Sequence, residues 1–161
     1  MIFKPHIKRD KITDITVEDL KNIGVTALML DVDNTMSTHG GQVLTDGLLD
    51  WIKYMQDNGI KLTVLSNARK SRVEPFANKI SLDFIHLGLK PLPFGYFRAA
   101  KALSTKRKNT AIVGDQLFTD MLGGFLSGVK KILLTPILLE DKPSFIIRRK
   151  LEKIFLSRYK F

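Results

Sequence analysis

Two aspartates one residue apart, Asp31-Val-Asp33, follow the apolar run Ala27-Leu-Met-Leu30 and lead into Asn34-Thr35. In extended backbone, positions i and i+2 point the same way. Two carboxylates crowded at such a point repel each other unless a cation, or work on a phosphate, justifies them. A magnesium ion suits the pair, because it prefers hard oxygen ligands and keeps waters and a phosphate oxygen in its shell. A calcium loop is the rival reading of Asp31, Asp33 and Thr35. It fails because the twelfth position is Gln42, where a bidentate Glu belongs. Further along, Ser66-Asn67 offers a hydroxyl and an amide to phosphate oxygens, and Lys90-Pro91 a cation held by a stiff neighbour. Gly114-Asp115-Gln-Leu-Phe-Thr-Asp120 adds two acids around a tight turn. Each of these alone has an ordinary structural explanation. Together they make a constellation for phosphoryl transfer: a carboxylate nucleophile, a metal site and a positive clamp.

The segments that must hold these residues alternate in type. Residues 17–23 read as a short helix with Thr16 as N-cap and Gly24 as its stop. Residues 26–32 are apolar and short, as a buried strand is. Residues 45–58 carry Leu48, Leu49, Ile52 and Met55 at helical spacing, with Trp51 on the apolar side and Gly59 as the stop. Strand character returns at 60–66, 83–86, 110–115 and 130–134. Between these lie a charged helix from Ser71, in which Pro75 is tolerable only in the first turn, and helices over 94–103 and 117–126, the last closed by Gly128. Five strands alternating with helices predict an α/β fold: a parallel sheet, right-handed crossovers, helices on both faces. Ligands of such sheets sit beyond the carboxyl ends of the strands, where strand order reverses. The acid pair, Ser66, Lys90 and Asp115 each fall just after a strand.

Over roughly residues 26–135 the chain resembles the haloacid dehalogenase (HAD) superfamily of phosphotransferases. Asp31-Val-Asp33-Asn-Thr35 looks like the first family motif, Ser66 the second, Lys90 the third, and Asp115 with Asp120 the fourth. The resemblance implies a Rossmann-like, five-stranded sheet of order 5-4-1-2-3 and a magnesium-dependent, two-step phosphatase. It implies that Asp31 attacks phosphorus and becomes an aspartyl-phosphate, while Asp33 protonates the leaving oxygen and later takes a proton from water. It makes Asp31, Asp115 and the backbone carbonyl of Asp33 metal ligands, with Asp120 ordering the metal's waters or joining them. Ser66 and Lys90, with Thr35, Asn67 and backbone amides near 32–34, are then the phosphate-binding groups. A closer resemblance, reaching back to Phe3-Lys-Pro-His6, is to the YqeG-type branch, subclass IIIA. That branch is similar to mitochondrial and plastid enzymes that dephosphorylate phosphatidylglycerophosphate. The chain departs from the branch at Ala68, where a second Asn is common, and at Leu89, where a basic residue is common.

The 161 residues are 44% hydrophobic and 26% charged, the balance of a single globular domain rather than a disordered chain. The two places where a cap could be inserted, 35–45 and 67–89, are too short for a separate domain, so an open site covered by a large partner is expected. The absence of cysteine excludes thiol catalysis, a disulfide scaffold and thiolate zinc sites. No apolar run approaches the roughly 20 residues of a spanning helix, and residues 1–19 lack the apolar region of a signal peptide. A cytoplasmic location is therefore expected, with peripheral contact to the inner face of the membrane.

Lys and Arg number 26 against 16 acids, a net charge of +10 that asks for a polyanionic partner. The surplus is densest at 142–161, where Lys142, Arg148, Arg149, Lys150, Lys153, Arg158 and Lys160 face one acid, Glu152. As a helix, this tail groups Ile147, Leu151, Ile154 and Phe155, with Arg149, Lys150, Lys153 and Lys160 largely opposite. Such a helix either packs its apolar face on the sheet or lies in an anionic interface. The substrate expected first is phosphatidylglycerophosphate at a membrane surface. Two alternatives stand beside it: a soluble phosphatase of nucleotides, sugar phosphates or phosphoproteins, and a basic RNA- or ribosome-binding module. Clustered acids with no other use would repel nucleic acid, so no nucleic-acid partner is expected. Of His6, His39 and His86, only His39 lies in the loop after the nucleophile, where it would touch substrate. Lys101 and Lys106-Arg-Lys108 lack interleaved aromatics and read as a solvated turn.

Overall fold

Six parallel strands form one sheet in the computed structural model, which describes residues 1–38, 40–139 and 141–159. They are β1 (Ile7–Arg9), β2 (Ala27–Leu30), β3 (Lys61–Leu65), β4 (Phe84–Ile85), β5 (Thr110–Gly114) and β6 (Lys130–Leu134), in the order β1-β6-β5-β2-β3-β4. The five expected strands take their expected order, and the sheet gains a sixth, β1, on its edge. Three residues with two cations carry no apolar pattern of their own. β1 forms because β6 offers it an open edge: the His6 amide donates to the Lys131 carbonyl at 2.8 Å, and the Lys131 amide donates to His6 Nδ1 at 3.1 Å.

Period-2 alternation sorts the strand residues between two layers. Leu28, Leu30, Leu62, Val64, Ala111 and Val113 pack with α1 (Val17–Asn22), α2 (Leu48–Asp57) and α3 (Lys70–Lys79). Ala27, Met29, Leu65, Ile112 and Leu133 face the other way, toward α4 (Phe94–Ala102) and the turn that leads into α5 (Leu122–Ser127). Trp51 is core, as expected, with its Nε1 donating to the Ile15 carbonyl at 2.9 Å. The α1 N-terminus is a capping box: the Asp19 amide donates to Thr16 Oγ1, and the Thr16 amide donates back to the Asp19 carboxylate.

Three helix boundaries differ from the sequence expectation. α2 starts at Leu48, not at Thr45, because the Thr45 amide donates to the Met36 carbonyl at 3.0 Å and keeps the loop open until Gly47. α3 starts at Lys70, so Pro75 falls in its second turn and has no amide to offer the Ser71 carbonyl. Burial of Val73, Phe76 and Ala77 holds the helix through that loss. The helix expected over 117–126 opens instead as a π-helical turn, Leu117–Met121, in which the Asp120 and Met121 amides share the Gln116 carbonyl at 3.0 and 3.2 Å.

The chain goes from β2 outward to β3 and β4, then returns to β5 and β6 on the opposite side, so strand order reverses between β2 and β5. Asp31 and Asp115 follow these two strands and are neighbours there, with the Asp31 amide donating to the Val113 carbonyl at 3.0 Å. Only a loop follows Asp33 before α2, and only α3 and β4 lie between Asn67 and Lys90, so no cap domain covers the strand ends.

The tail forms α6 (Pro143–Leu156), and it docks by the wrong face for a simple amphipathic helix. The buried residues are Arg149 (9% exposed) and Glu152 (4%), while Ile147 (61%), Leu151 (45%) and Ile154 (54%) are in the open. The apolar residues do not pack on the sheet together, and Arg149 is not on a solvated face. Ionic partners on the core decide the orientation. Arg149 donates to the carboxylate of Asp115, to its backbone carbonyl at 3.0 Å and to Glu152 Oε2 at 2.8 Å, and Glu152 Oε1 accepts the Leu117 amide at 3.0 Å. Phe155 completes the contact in a ring cluster, 5.0 Å from Phe3 and 5.9 Å from Phe118 between centroids. Lys160 lies outside the described residues.

Candidate active site

Four strand ends meet over the switch point and line a groove of about 880 Å³. Asp31, at its floor, is buried against β5. Lys90, reached by the loop after β4, is buried too. Its Nζ donates to Asp31 Oδ1 and to Asp120 Oδ1, both at 2.7 Å. Asn67 holds that lysine in place rather than facing substrate with its whole amide: its Oδ1 accepts the Lys90 amide at 2.7 Å and its Nδ2 donates to the Lys90 carbonyl at 3.0 Å. Ser66 lines the groove, and its Oγ accepts the Ala68 amide at 3.1 Å, which leaves the hydroxyl hydrogen for a ligand.

The fourth strand end is built by the π-helical turn. The extra residue in that turn swings Asp120 back, so that its Oδ2 accepts the Gln116 amide at 3.2 Å while its Oδ1 meets Lys90. Tyr96 fixes the turn from beneath, donating to the Thr119 carbonyl at 2.9 Å. Gly114 is required by the same approach, since a methyl group there would run into the Asp120 carboxylate. Asp31, Asp115 and Asp120 thereby gather, with one carboxylate oxygen of each within 4.8 Å of the others. Asp115 Oδ1 is buried with no hydrogen-bond partner. An orphaned carboxylate oxygen beside two further carboxylates fits a hard divalent cation. Both Asp120 oxygens are engaged by the protein, which suits a group that orients Lys90 and the turn.

Burial and mutual repulsion set the electrostatics. Burial pushes the Asp31 carboxyl up to about 7; the Lys90 ammonium opposes this and Asp120 adds to it. Burial, then Asp31, hold the Asp115 carboxyl well above the usual carboxylate range, against the pull of Arg149. Burial works against the charge on Lys90, but Asp120 and Asp31 outweigh it and raise its pKa. Three carboxylates thus face two cations, Lys90 and Arg149, and the cluster has room for additional positive charge.

Asp33 sits higher on the groove wall, its Oδ1 accepting Arg72 Nη2 at 2.5 Å and the Gly40 amide at 3.0 Å. Asn34, left-handed at φ 58°, turns the loop so that the chain curls over Asp31. Thr35 does not join the site with its side chain: it is buried toward a separate cavity shared with Thr38, Val43 and Thr45. His39 lies outside the described residues. The sequence reading missed Arg72, Arg149, Glu152 and Gln116. Arg72 follows Ser66 by six residues, inside the same β3–α3 unit, and its position in the first turn of the helix was a readable signal. Arg149 pairs with Glu152 three residues on, but nothing local signals its contact with Asp115, 34 residues away in sequence.

The profile of the haloacid dehalogenase-like hydrolases matches residues 3–128. The chain belongs to that family. Within it, the chain is 35% identical over 148 residues to "Probable phosphatase YqeG" of Bacillus subtilis (strain 168), covering 91% of this chain and 85% of that protein. It is a YqeG-type phosphatase of the haloacid dehalogenase-like hydrolases. Solved structures repeat the fold at low identity. The 4-nitrophenylphosphatase of Thermotoga maritima superposes with a TM-score of 0.61 at 11% identity, over 86% of this chain and 92% of that one. The cobalt-bound deoxy-D-mannose-octulosonate 8-phosphate phosphatase of Haemophilus influenzae gives 0.56 at 18%, over 85% and 90%.

Proposed function

We propose that this phosphatase hydrolyses phosphatidylglycerophosphate to phosphatidylglycerol at a membrane surface, through an aspartyl-phosphate and with magnesium. The observation that carries the substrate class is the composition of the groove's rim. One wall is α6, which presents Phe145, Ile147 and Leu151 beside Arg148. The other is the loop around Lys90, where Leu87, Leu89, Leu92 and Phe94 are exposed. A phosphate-handling floor beneath an apolar, cationic mouth suits an amphiphile presented by an anionic bilayer. Leu89, one of the departures from the branch pattern, is among these exposed side chains. No helix among the described residues is long and apolar enough to cross a membrane, so the contact is peripheral in this reading.

In the chemical step Asp31 attacks phosphorus with a carboxylate oxygen, and the bond from phosphorus to the ester oxygen breaks. Asp33 gives that oxygen its proton. Water then attacks the aspartyl-phosphate, Asp33 takes the water's proton, and inorganic phosphate leaves as Asp31 is restored. Lys90, Ser66 and the amides of the loop after β2 balance the charge on the non-bridging oxygens. Asp31, Asp115 and the Asp33 carbonyl would hold the magnesium ion, which supplies further positive charge to the transferring phosphoryl group.

The test is phosphate release by purified protein from phosphatidylglycerophosphate in mixed micelles, beside a panel of soluble phosphoesters, with magnesium or with chelator. Faster turnover of the lipid, dependent on magnesium and abolished in Asp31→Asn, is the expected result. A sugar phosphate or nucleotide turned over far faster than the lipid would sink the lipid reading.

A further inference from the structure

Three cations line the groove, Arg72, Lys90 and Arg148, and two of them are ion-paired with site acids: Lys90 with Asp31 and Asp120, Arg72 with Asp33. Arg148 differs. It is half-buried in the α6 wall and lies within salt-bridge distance of no carboxylate among the described residues, its charge acting on Glu152 only at longer range. One N–H donates to Gln116 Oε1 at 3.0 Å, and the guanidinium lies 5.1 Å from the Phe145 ring centroid. Thr119 Oγ1 donates to the same Gln116 oxygen at 3.2 Å, so the group that orients Arg148 is itself oriented. The Gln116 amide in turn bonds Asp120, which bonds Lys90, which bonds Asp31. Arg148 is therefore tied by a short chain of hydrogen bonds to the reacting centre. A guanidinium has five N–H donors in a planar fork that matches two oxygens of one anion. Its neighbour Arg149 is engaged by Asp115 instead.

We propose that Arg148 is a specificity-determining residue, the receptor for a second anionic group carried by the same substrate as the phosphate that is cleaved. The chemical class is a phosphomonoester bearing a further phosphate or phosphodiester. The phosphodiester of a lipid headgroup and the second phosphate of a soluble bisphosphate both satisfy it. This rests on the phosphatase reading of the site and narrows the lipid reading without depending on it.

The experiment measures inhibition of 4-nitrophenyl phosphate hydrolysis by glycerol 3-phosphate and by glycerol 1,3-bisphosphate, for wild type, Arg148→Ala, Arg148→Lys and Gln116→Ala. KM and kcat on phosphatidylglycerophosphate micelles are measured beside it. Wild type should prefer the bisphosphate. In Arg148→Ala that preference should fall about tenfold or more, the size of a lost charge-assisted hydrogen bond. The lysine variant should recover part of it, and the loss on the lipid should appear in KM rather than kcat. A merely structural role would weaken both inhibitors equally and leave their ratio unchanged, which overturns the proposal. Gln116→Ala, which keeps the guanidinium but removes the oxygen that orients it, should lose part of the preference. If the lipid is not turned over while the bisphosphate preference follows Arg148, the subsite stands and the lipid reading fails. If the lipid is turned over and its KM ignores Arg148, the lipid reading stands and the subsite fails.

Discussion

Asp31 carries two opposed demands. As the proposed nucleophile it must be ionised, yet burial raises its carboxyl from 3.8 to about 7. The folded state therefore favours the neutral acid. Metal-free stability contributed by this group is full below about pH 4 and declines as pH rises through about 7, because the unfolded chain releases the proton more readily. Asp31→Asn removes the buried anion. In chelator it should melt a few degrees above wild type at pH 8, and the gap should close as pH falls toward 4; thermal melts across pH check this. Activity should vanish in the same variant, which separates the chemical from the structural role. Lys90, whose pKa is raised too, contributes stability that is full below its ordinary 10.5 and declines only in more alkaline solution. Lys90→Met leaves Asp31 and Asp120 together without their cation, and should cost about 3–5 kcal/mol by denaturant unfolding at neutral pH, as removal of one partner from a buried ion pair does.

Two elements place these groups. The π-helical turn moves Asp120 by one residue's worth of rotation toward Lys90, and Gly114 leaves it the space. Gly114→Ala should keep the sheet, read by circular dichroism, while kcat falls about tenfold or more because a displacement near 1 Å at a catalytic group is already expensive. α6 is the second element. Its dock is ionic, with Arg149 between Asp115 and Glu152, and the ring of Phe155 as the apolar anchor. Arg149→Ala should release the helix. Limited proteolysis should then cut within 143–156 faster than in wild type, and magnesium should bind more weakly as Asp115 loses its support, an effect that titration calorimetry reads. Glu152→Gln keeps the hydrogen-bonding shape and should do less of both.

At the scale of the whole molecule, the charge of +10 and the apolar groups belong to one description. Arg72, Lys90 and Arg148 line the groove, and exposed Leu, Ile and Phe side chains stand on α6 and on the segment that carries Lys90. Ile154, on α6, and Phe94, at the start of α4, are exposed and outside the groove lining. Ile154→Ser with Phe94→Ser should lower sedimentation with anionic vesicles and slow hydrolysis of vesicle-borne lipid several-fold, with hydrolysis of 4-nitrophenyl phosphate as the control for folding. Raising the salt should weaken the vesicle contact further, since each surface cation contributes about 1 kcal/mol that ions screen. Vesicle binding that ignores both the mutations and the salt would remove this face as the contact.

The sequence by itself determined the parallel α/β order and the residues at the strand ends, because short apolar runs and abrupt polar punctuation are local patterns. Asp31, Asp33, Ser66, Lys90, Asp115 and Asp120 could all be found that way. It could not show which way those residues turn. Thr35 belongs to the same motif as Asp31 but faces another cavity, and Asn67 grips the backbone of Lys90, because the turn after β2 and the loop after β4 set those directions. β1 escaped because three residues hold no period, and only the open edge of β6 defines them. The helical wheel of α6 separates an apolar from a cationic face, but a wheel leaves open which face meets the core. Hydrophobicity ranks faces by their own composition, whereas the dock was decided by what waited on the core: a buried carboxylate at Asp115 and an unpaired amide at Leu117. Leaving a buried charge or amide without a partner costs more than leaving three aliphatic side chains partly in water, so the ionic face turned inward and the apolar one was left at the rim of the groove.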